Sequence, residues 1–254
     1  MKHRTSASVV LVAAALLGGL TLLAQSTPRT TLDGVYTEAQ AERGAGEFSR
    51  HCARCHGENL DGIGAAPMLY SSRFIDRFRE DSLRGLFDYT AANMPLDARP
   101  APGGLRETQY LDLLAYLLSV NDQPSGAGEL ASADLDRTRL VGPEGPQPLP
   151  PSTTVRVVGC LAQASGQWTV TRASAPARVR KADTTDAAEL ERSGHAPLGT
   201  LQFRLPNLSD DHPTSALTGQ IAKKVQIKGV LNGDGPAARI STLSFEPLNQ
   251  DCPP

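Results

Sequence analysis

Apolar residues along this chain follow three rhythms. Residues 9–24 form an uninterrupted apolar run. Over residues 107–120 the positions Tyr110, Leu111, Leu113, Leu114, Tyr116, Leu117 and Leu118 predict a strongly apolar helix, with Asn121 as its stop. A sparser pattern, Ala41, Ala45 and Phe48 at i, i+4 and i+7, predicts an earlier helix running through Arg50. Its start reads as a capping box over Thr37-Glu38-Ala39-Gln40, with Gln40 reaching back to the cap. Beyond Thr153 the pattern turns to alternation. Residues 155–161, 167–172, 201–205, 224–231 and 240–245 read as five strands, and Asn232-Gly233-Asp234-Gly235 as a strong turn. Residues 184–192 predict one short helix between the second and third strands.

These rhythms divide the chain. Lys2, His3 and Arg4 precede the apolar run, and Ala24-Gln25-Ser26 is a small-x-small site, so residues 1–26 read as an export signal. An uncleaved anchor is the alternative, although the run is short for a spanning helix. Residues 31–122 form a helical domain. Residues 123–152, with Gly142-Pro143, Gly145-Pro146 and Pro148-Leu149-Pro150-Pro151, have the composition of a semi-extended spacer with no core of its own. Residues 153–254 form a small all-β domain; five strands in so short a span suggest a barrel. The fold class is therefore multidomain, all-α followed by all-β.

Charge alters this picture little. The net charge of −2 over 254 residues gives no reason to expect nucleic acid or an anionic membrane as partner. A membrane enters only if the N-terminal segment is retained. Residues 33–122 carry nine basic and fourteen acidic side chains, and residues 150–254 eleven basic and nine acidic. The acidic half predicts a basic or mixed docking surface on whatever it meets.

The chemistry lies in Cys52-Ala53-Arg54-Cys55-His56. The spacing C-x-x-C-H is the attachment signature of a c-type haem: two thiols reach the two vinyl groups, and the adjacent imidazole reaches the iron. A redox dithiol or half of a zinc site are the competing readings. Zinc would require further nearby ligands, and the neighbourhood offers only His51 as a spare histidine before Cys160. Cys160 and Cys252 remain, and an oxidising compartment permits them to pair.

With these pieces in place, residues 36–122 resemble a class I cytochrome c domain. The resemblance rests on the entry helix with Gly44 and Phe48, on Cys52-Ala53-Arg54-Cys55-His56-Gly57, on residues 60–69, on Asn93-Met94-Pro95, and on the last helix with Tyr116. It implies one covalent haem c and attachment on the far side of the bacterial inner membrane, hence a periplasmic or otherwise exported protein. It implies that first and last helices cross near Gly44, Phe48 and Tyr116. It also implies His56 and Met94 as the iron's axial ligands. Met94 follows His56 by thirty-eight residues, the family's usual separation, whereas Met68 follows by twelve, too few to wrap the haem edge. Met68 then reads as a packing residue. The carbonyl of Pro67 matches the family's acceptor for the proximal imidazole. Arg54, His51, Gly57, Gly62 and Gly64 are expected to be structural or solvated.

The β half looks, loosely, like OB-fold-like domains of exported bacterial proteins, on the runs V-V-G-C-L, Leu217-Thr218-Gly219 and V-Q-I-K-G-V-L. A Cys160–Cys252 bridge would staple its ends. With a single Trp and few aromatics it lacks the signs of nucleic-acid binding, and His195 and His212 read as solvated. A docking or structural module is the expectation. A haem held on both axial sides, with no nucleophile and no acid–base pair, argues for electron transfer and against catalysis. The expected partners are a periplasmic dehydrogenase as donor and an oxidase or second cytochrome as acceptor. A haem-based redox or gas sensor, and more remotely a peroxidase, are the alternatives.

Overall fold

The computed structural model describes residues 29–96 and 104–253. The export signal read over residues 1–26 lies outside them. Among the described residues no helix is long and apolar enough to cross a membrane.

The first body is helical. A two-residue strand β1 (Arg29–Thr30) leads to α1 (Glu38–His51), the single turn α2 (Ala53–His56), α3 (Ser72–Phe78), α4 (Leu83–Asn93) and α5 (Glu107–Ser119). α1 begins where the side chain of Thr37 accepts a bond from Gln40 N. The predicted reciprocal bond does not form. The Gln40 side chain instead turns inward, accepting from Leu130 N at 2.7 Å and donating to Leu130 O at 3.0 Å. It is 2% exposed, so an amide with two backbone partners replaces a solvated cap. α1 and α5 cross in close contact. A Cβ on Gly44 would collide with the Asp112 carbonyl and lie 2.8 Å from Tyr116 Cβ. Phe48 and Tyr116 pack beside the crossing with ring centroids 5.4 Å apart.

The segment expected to be a spacer does more than connect. Its strand β2 (Thr138–Arg139) pairs in parallel with β1. Leu130, Leu135 and Leu140 join the helical core, each no more than 2% exposed. The chain between them is fixed by Gly126 N to Tyr36 O, Glu80 N to Leu140 O and Leu140 N to Asp81 O, all 2.7–2.9 Å. Low average hydrophobicity misled here, because isolated leucines suffice when the backbone finds its partners in another element.

The second body is β-rich: β3 (Thr154–Ala164), β4 (Gln167–Ala173), β5 (Ala177–Arg178), α6 (Ala187–His195), β6 (Leu201–Arg204), α7 (Leu208–Asp211), α8 (Thr214–Thr218), β7 (Lys223–Asn232) and β8 (Arg239–Asp251). The strand order is β4-β6-β8-β7-β3-β5, and β4 also pairs with β3. The pairings therefore return to their start. All are antiparallel except the contact of β6 with β8. Val155, Val157, Trp168, Val170, Val225, Ile227 and Ile240 form its core. Cys160 and Cys252 form a disulfide with Cα atoms 6.0 Å apart. The alternate face of β7 is polar but not solvated. Lys228 reaches Thr184 O and Glu189 Oε2 at 2.6 and 2.9 Å, and Lys224 caps α6 through Gly194 O and Ala196 O.

The two bodies meet through charge. Arg156, Arg180 and Arg192 approach Asp136, Asp81 and Asp88. Burial pushes the Asp81 carboxyl up from 3.8 to about 6, and the Arg180 guanidinium only partly opposes it.

Two expectations follow. Gly44→Ala is expected to destabilise the helical body by about 1–3 kcal/mol in denaturant unfolding, because backbone, not a flexible side chain, blocks the methyl. For Asp81, a folded value above the unfolded one means that its favourable contribution is complete below 3.8 and is lost as pH rises through about 6. Asp81→Asn, always neutral, should therefore gain stability over the parent above that pH and lose the gain as the solution is acidified; parallel urea titrations across the range measure this.

Candidate functional site

Sequence dictates a sharp local path around the cysteines. α1 ends with Cys52 N bonded to Phe48 O at 2.8 Å, and Cys55 N and His56 N both return to Cys52 O. This one-turn helix places two cysteines and a histidine on a single short arc. The chain then folds back: Gly62 N bonds His56 O at 2.8 Å and Ile63 N bonds Cys55 O at 3.0 Å. Gly62 has a φ of +82°, and a Cβ there would lie 3.0 Å from Pro67 C and Met68 N. Its bare backbone lets Pro67 come close enough for the Pro67 carbonyl to lie 2.9 Å from His56 Nδ1. An imidazole protonated at Nδ1 donates to that carbonyl and keeps its Nε2 lone pair for a metal. His56 is 7% exposed.

His56 borders a cavity of about 1210 Å³. Cys52 and Cys55 stand at its edge as free thiols. Burial pushes the Cys52 thiol up to about 11, so without a reaction partner it stays protonated. The walls are apolar: Phe48, Leu69, Phe74, Phe78, Leu86, Leu113 and Leu117. The charged residues on the lining are Arg54, Arg73 and Arg77. Arg77 donates to the Tyr89 hydroxyl at 3.0 Å.

Both methionines of the described residues reach this lining, but their settings differ. Met68 is 43% exposed. Met94 is half-buried at the C-cap of α4, its N–H bonded to Thr90 O. Its carbonyl accepts from the Tyr110 hydroxyl at 2.7 Å. Tyr110 is 3% exposed on α5 and packs edge-on against Phe87 at 6.0 Å. Met94 is thus held between the two helices. Sequence reading counted Tyr110 as core alone; a hydroxyl in an otherwise leucine-rich helix was the only hint. His51, expected to be solvated, is half-buried with Nε2 3.4 Å from a Glu47 oxygen.

Haem fits what these residues offer. The cavity is large and apolar enough for a macrocycle. Two free thiols stand beside an imidazole with one nitrogen satisfied by backbone, and the charged side chains on the lining are basic, the sign that carboxylates would meet. Zinc fits less well, because among the described residues no three His, Cys, Asp or Glu side chains converge.

Residues 41–121 match the family model for cytochrome c, about a third of the chain. This segment is a cytochrome c domain, followed by a β-rich C-terminal domain. Domains of this family hold haem c covalently, are typically exported, and pass electrons to redox partners. No curated protein and no solved structure matches the chain.

Tyr110→Phe is expected to cost about 1 kcal/mol, the usual net worth of one hydrogen bond, since it strips the Met94 carbonyl of its partner. Denaturant unfolding of the full chain, followed by helical circular dichroism, measures the loss.

Proposed function

We propose that this chain is an exported monohaem carrier of single electrons, with no catalytic centre of its own. The observation that carries the reading is one apolar cavity lined both by an imidazole held by the Pro67 carbonyl and by a half-buried, doubly tethered Met94. Haem c, when bound, supplies an iron that cycles between ferric and ferrous. Cys52 and Cys55 would hold it by thioethers, and His56 and Met94 would ligate its iron. A thioether opposite an imidazole raises the potential relative to two imidazoles, and rigid tethering of both ligands keeps rearrangement small. The leucine and phenylalanine walls exclude water.

Ile63, Met68 and Leu96, at 58, 43 and 72% exposure, surround the mouth of the same cavity. They form the surface through which a partner would approach. A periplasmic dehydrogenase as donor and an oxidase or second cytochrome as acceptor fit this role. The closed circuit of strand pairings supports an OB-like barrel for the C-terminal domain, and its aromatic-poor composition supports a docking or structural task.

The purified ferric protein is expected to show the weak far-red sulfur-to-iron band, to lose it in Met94→Ala while keeping covalent haem, and to bind no carbon monoxide when reduced. A parent without the band, or one that takes up carbon monoxide readily, would replace the carrier with a sensor or an enzyme.

A further inference from the structure

The wall of the cavity facing the C-terminal domain is built by α3 and α4. α3 contributes Phe74, Arg77 and Phe78, and α4 contributes Leu86, Tyr89 and Thr90 and ends at Met94. α3 is only seven residues long, too short to be stable by itself, and its last carbonyls need partners. Phe78 O takes Asp81 N at 3.0 Å, and two further partners come from the β-rich domain. Arg180 donates to Arg77 O at 2.9 Å, and Arg178 donates to Arg79 O at 3.3 Å. A guanidinium at a helix C-terminus is favoured by the partial negative charge there.

Arg180 also reaches past α3. Its guanidinium lies 4.3 Å from the centroid of Phe78 and 5.7 Å from that of Tyr89, rings that pack edge to face at 5.8 Å. Its Nε stands 4.0 Å from Asp81 Oδ2, in the turn between the two helices. One side chain thus touches the end of α3, the connecting turn and the middle of α4. Arg192 reaches Asp88, next to Tyr89 on α4, at 3.9 Å. The position that bears Met94 follows Tyr89 by little more than one helical turn.

We infer that Arg180 is a positioning residue for the distal side of the cofactor cavity, pinning the α3–α4 wall that carries Met94, so that the C-terminal domain is a working part of the cofactor site. The inference rests on the reading of Met94 as axial ligand. Arg180 touches neither cofactor nor iron; it acts through Phe78, Tyr89 and the end of α3. Loss of the clamp should let the wall move and the methionine sulfur yield to competing ligands.

The test is an imidazole titration of the full-length ferric holoprotein, followed by loss of the sulfur-to-iron band. Arg180→Ala should raise the apparent imidazole affinity about tenfold, the effect of losing roughly one charge-assisted hydrogen bond. Arg180→Lys, which keeps charge but not the planar fork, should fall between variant and parent, and it carries the test if the alanine variant does not accumulate. Arg137→Ala, which breaks an exposed ion pair to Asp134 outside the cavity lining, should leave the affinity unchanged. Haem-loaded Arg180 variants with the parental affinity, or an equal rise in Arg137→Ala, would overturn the clamp and leave the carrier intact. A parent without the sulfur-to-iron band would remove the reading beneath it.

Discussion

The contact of α1 with α5 at Gly44 sets the geometry on which everything downstream depends. Backbone meets backbone there, with the Asp112 carbonyl occupying the place of an absent methyl. Close approach lets Phe48 and Tyr116 pack, tilted, beside the crossing and fixes the direction in which α1 ends. α1 ends directly in the arc of Cys52, Cys55 and His56, so the crossing angle becomes the orientation of the imidazole. Across the cavity the same α5 supplies Tyr110 to the carbonyl of Met94. One helix pair thereby positions both sides of the cavity, and that economy explains why a glycine is kept in a helix where it lowers local stability.

Polar burial does the corresponding work elsewhere. Lys228 is 1% exposed, yet its ammonium group meets a carbonyl and a carboxylate. Glu189 is shared with Arg156, and Arg156 with Asp136 on the wrapped segment. These links run from the strands of the second body, through α6, to the surface of the first. Ion pairs of this kind contribute little net stability once desolvation is counted, but a misplaced partner is costly, so they favour a single arrangement of the two bodies. Part of the first body's acidity is answered within the molecule: Asp81 and Asp88 approach Arg180 and Arg192 of the second body.

Legibility in the sequence followed the range of the interactions. The apolar rhythm of α5, the alternation in β6, β7 and β8 and the leftover cysteine pair are local or compositional signals, and each led to an element or bond that the structure contains. Signals carried by distant backbone were silent. Nothing near Gln40 announces that its amide will bind Leu130, ninety residues on, and nothing in a Pro- and Gly-rich stretch announces that three of its leucines close a core. α3 was missed because seven residues with two arginines show little periodicity, and two of the carbonyls at its end are bonded by arginines of another domain. The site was therefore readable in the residues proposed to touch the cofactor and in Pro67, which holds His56, and unreadable in Tyr110, Tyr89 and Arg180.

The parallel pairing of β1 with β2 sets Arg29 beside Thr138 and Thr30 beside Arg139. The chain thus enters and leaves the helical body through adjacent threads, and the unit that closes upon itself extends beyond both ends of the stretch that matches the family. A body with joined entry and exit behaves like a bead on a short loop of string. It can be carried within another protein by opening the host at one point, whereas a cut at the limits of the family match would take away the clasp and leave the bead unstrung.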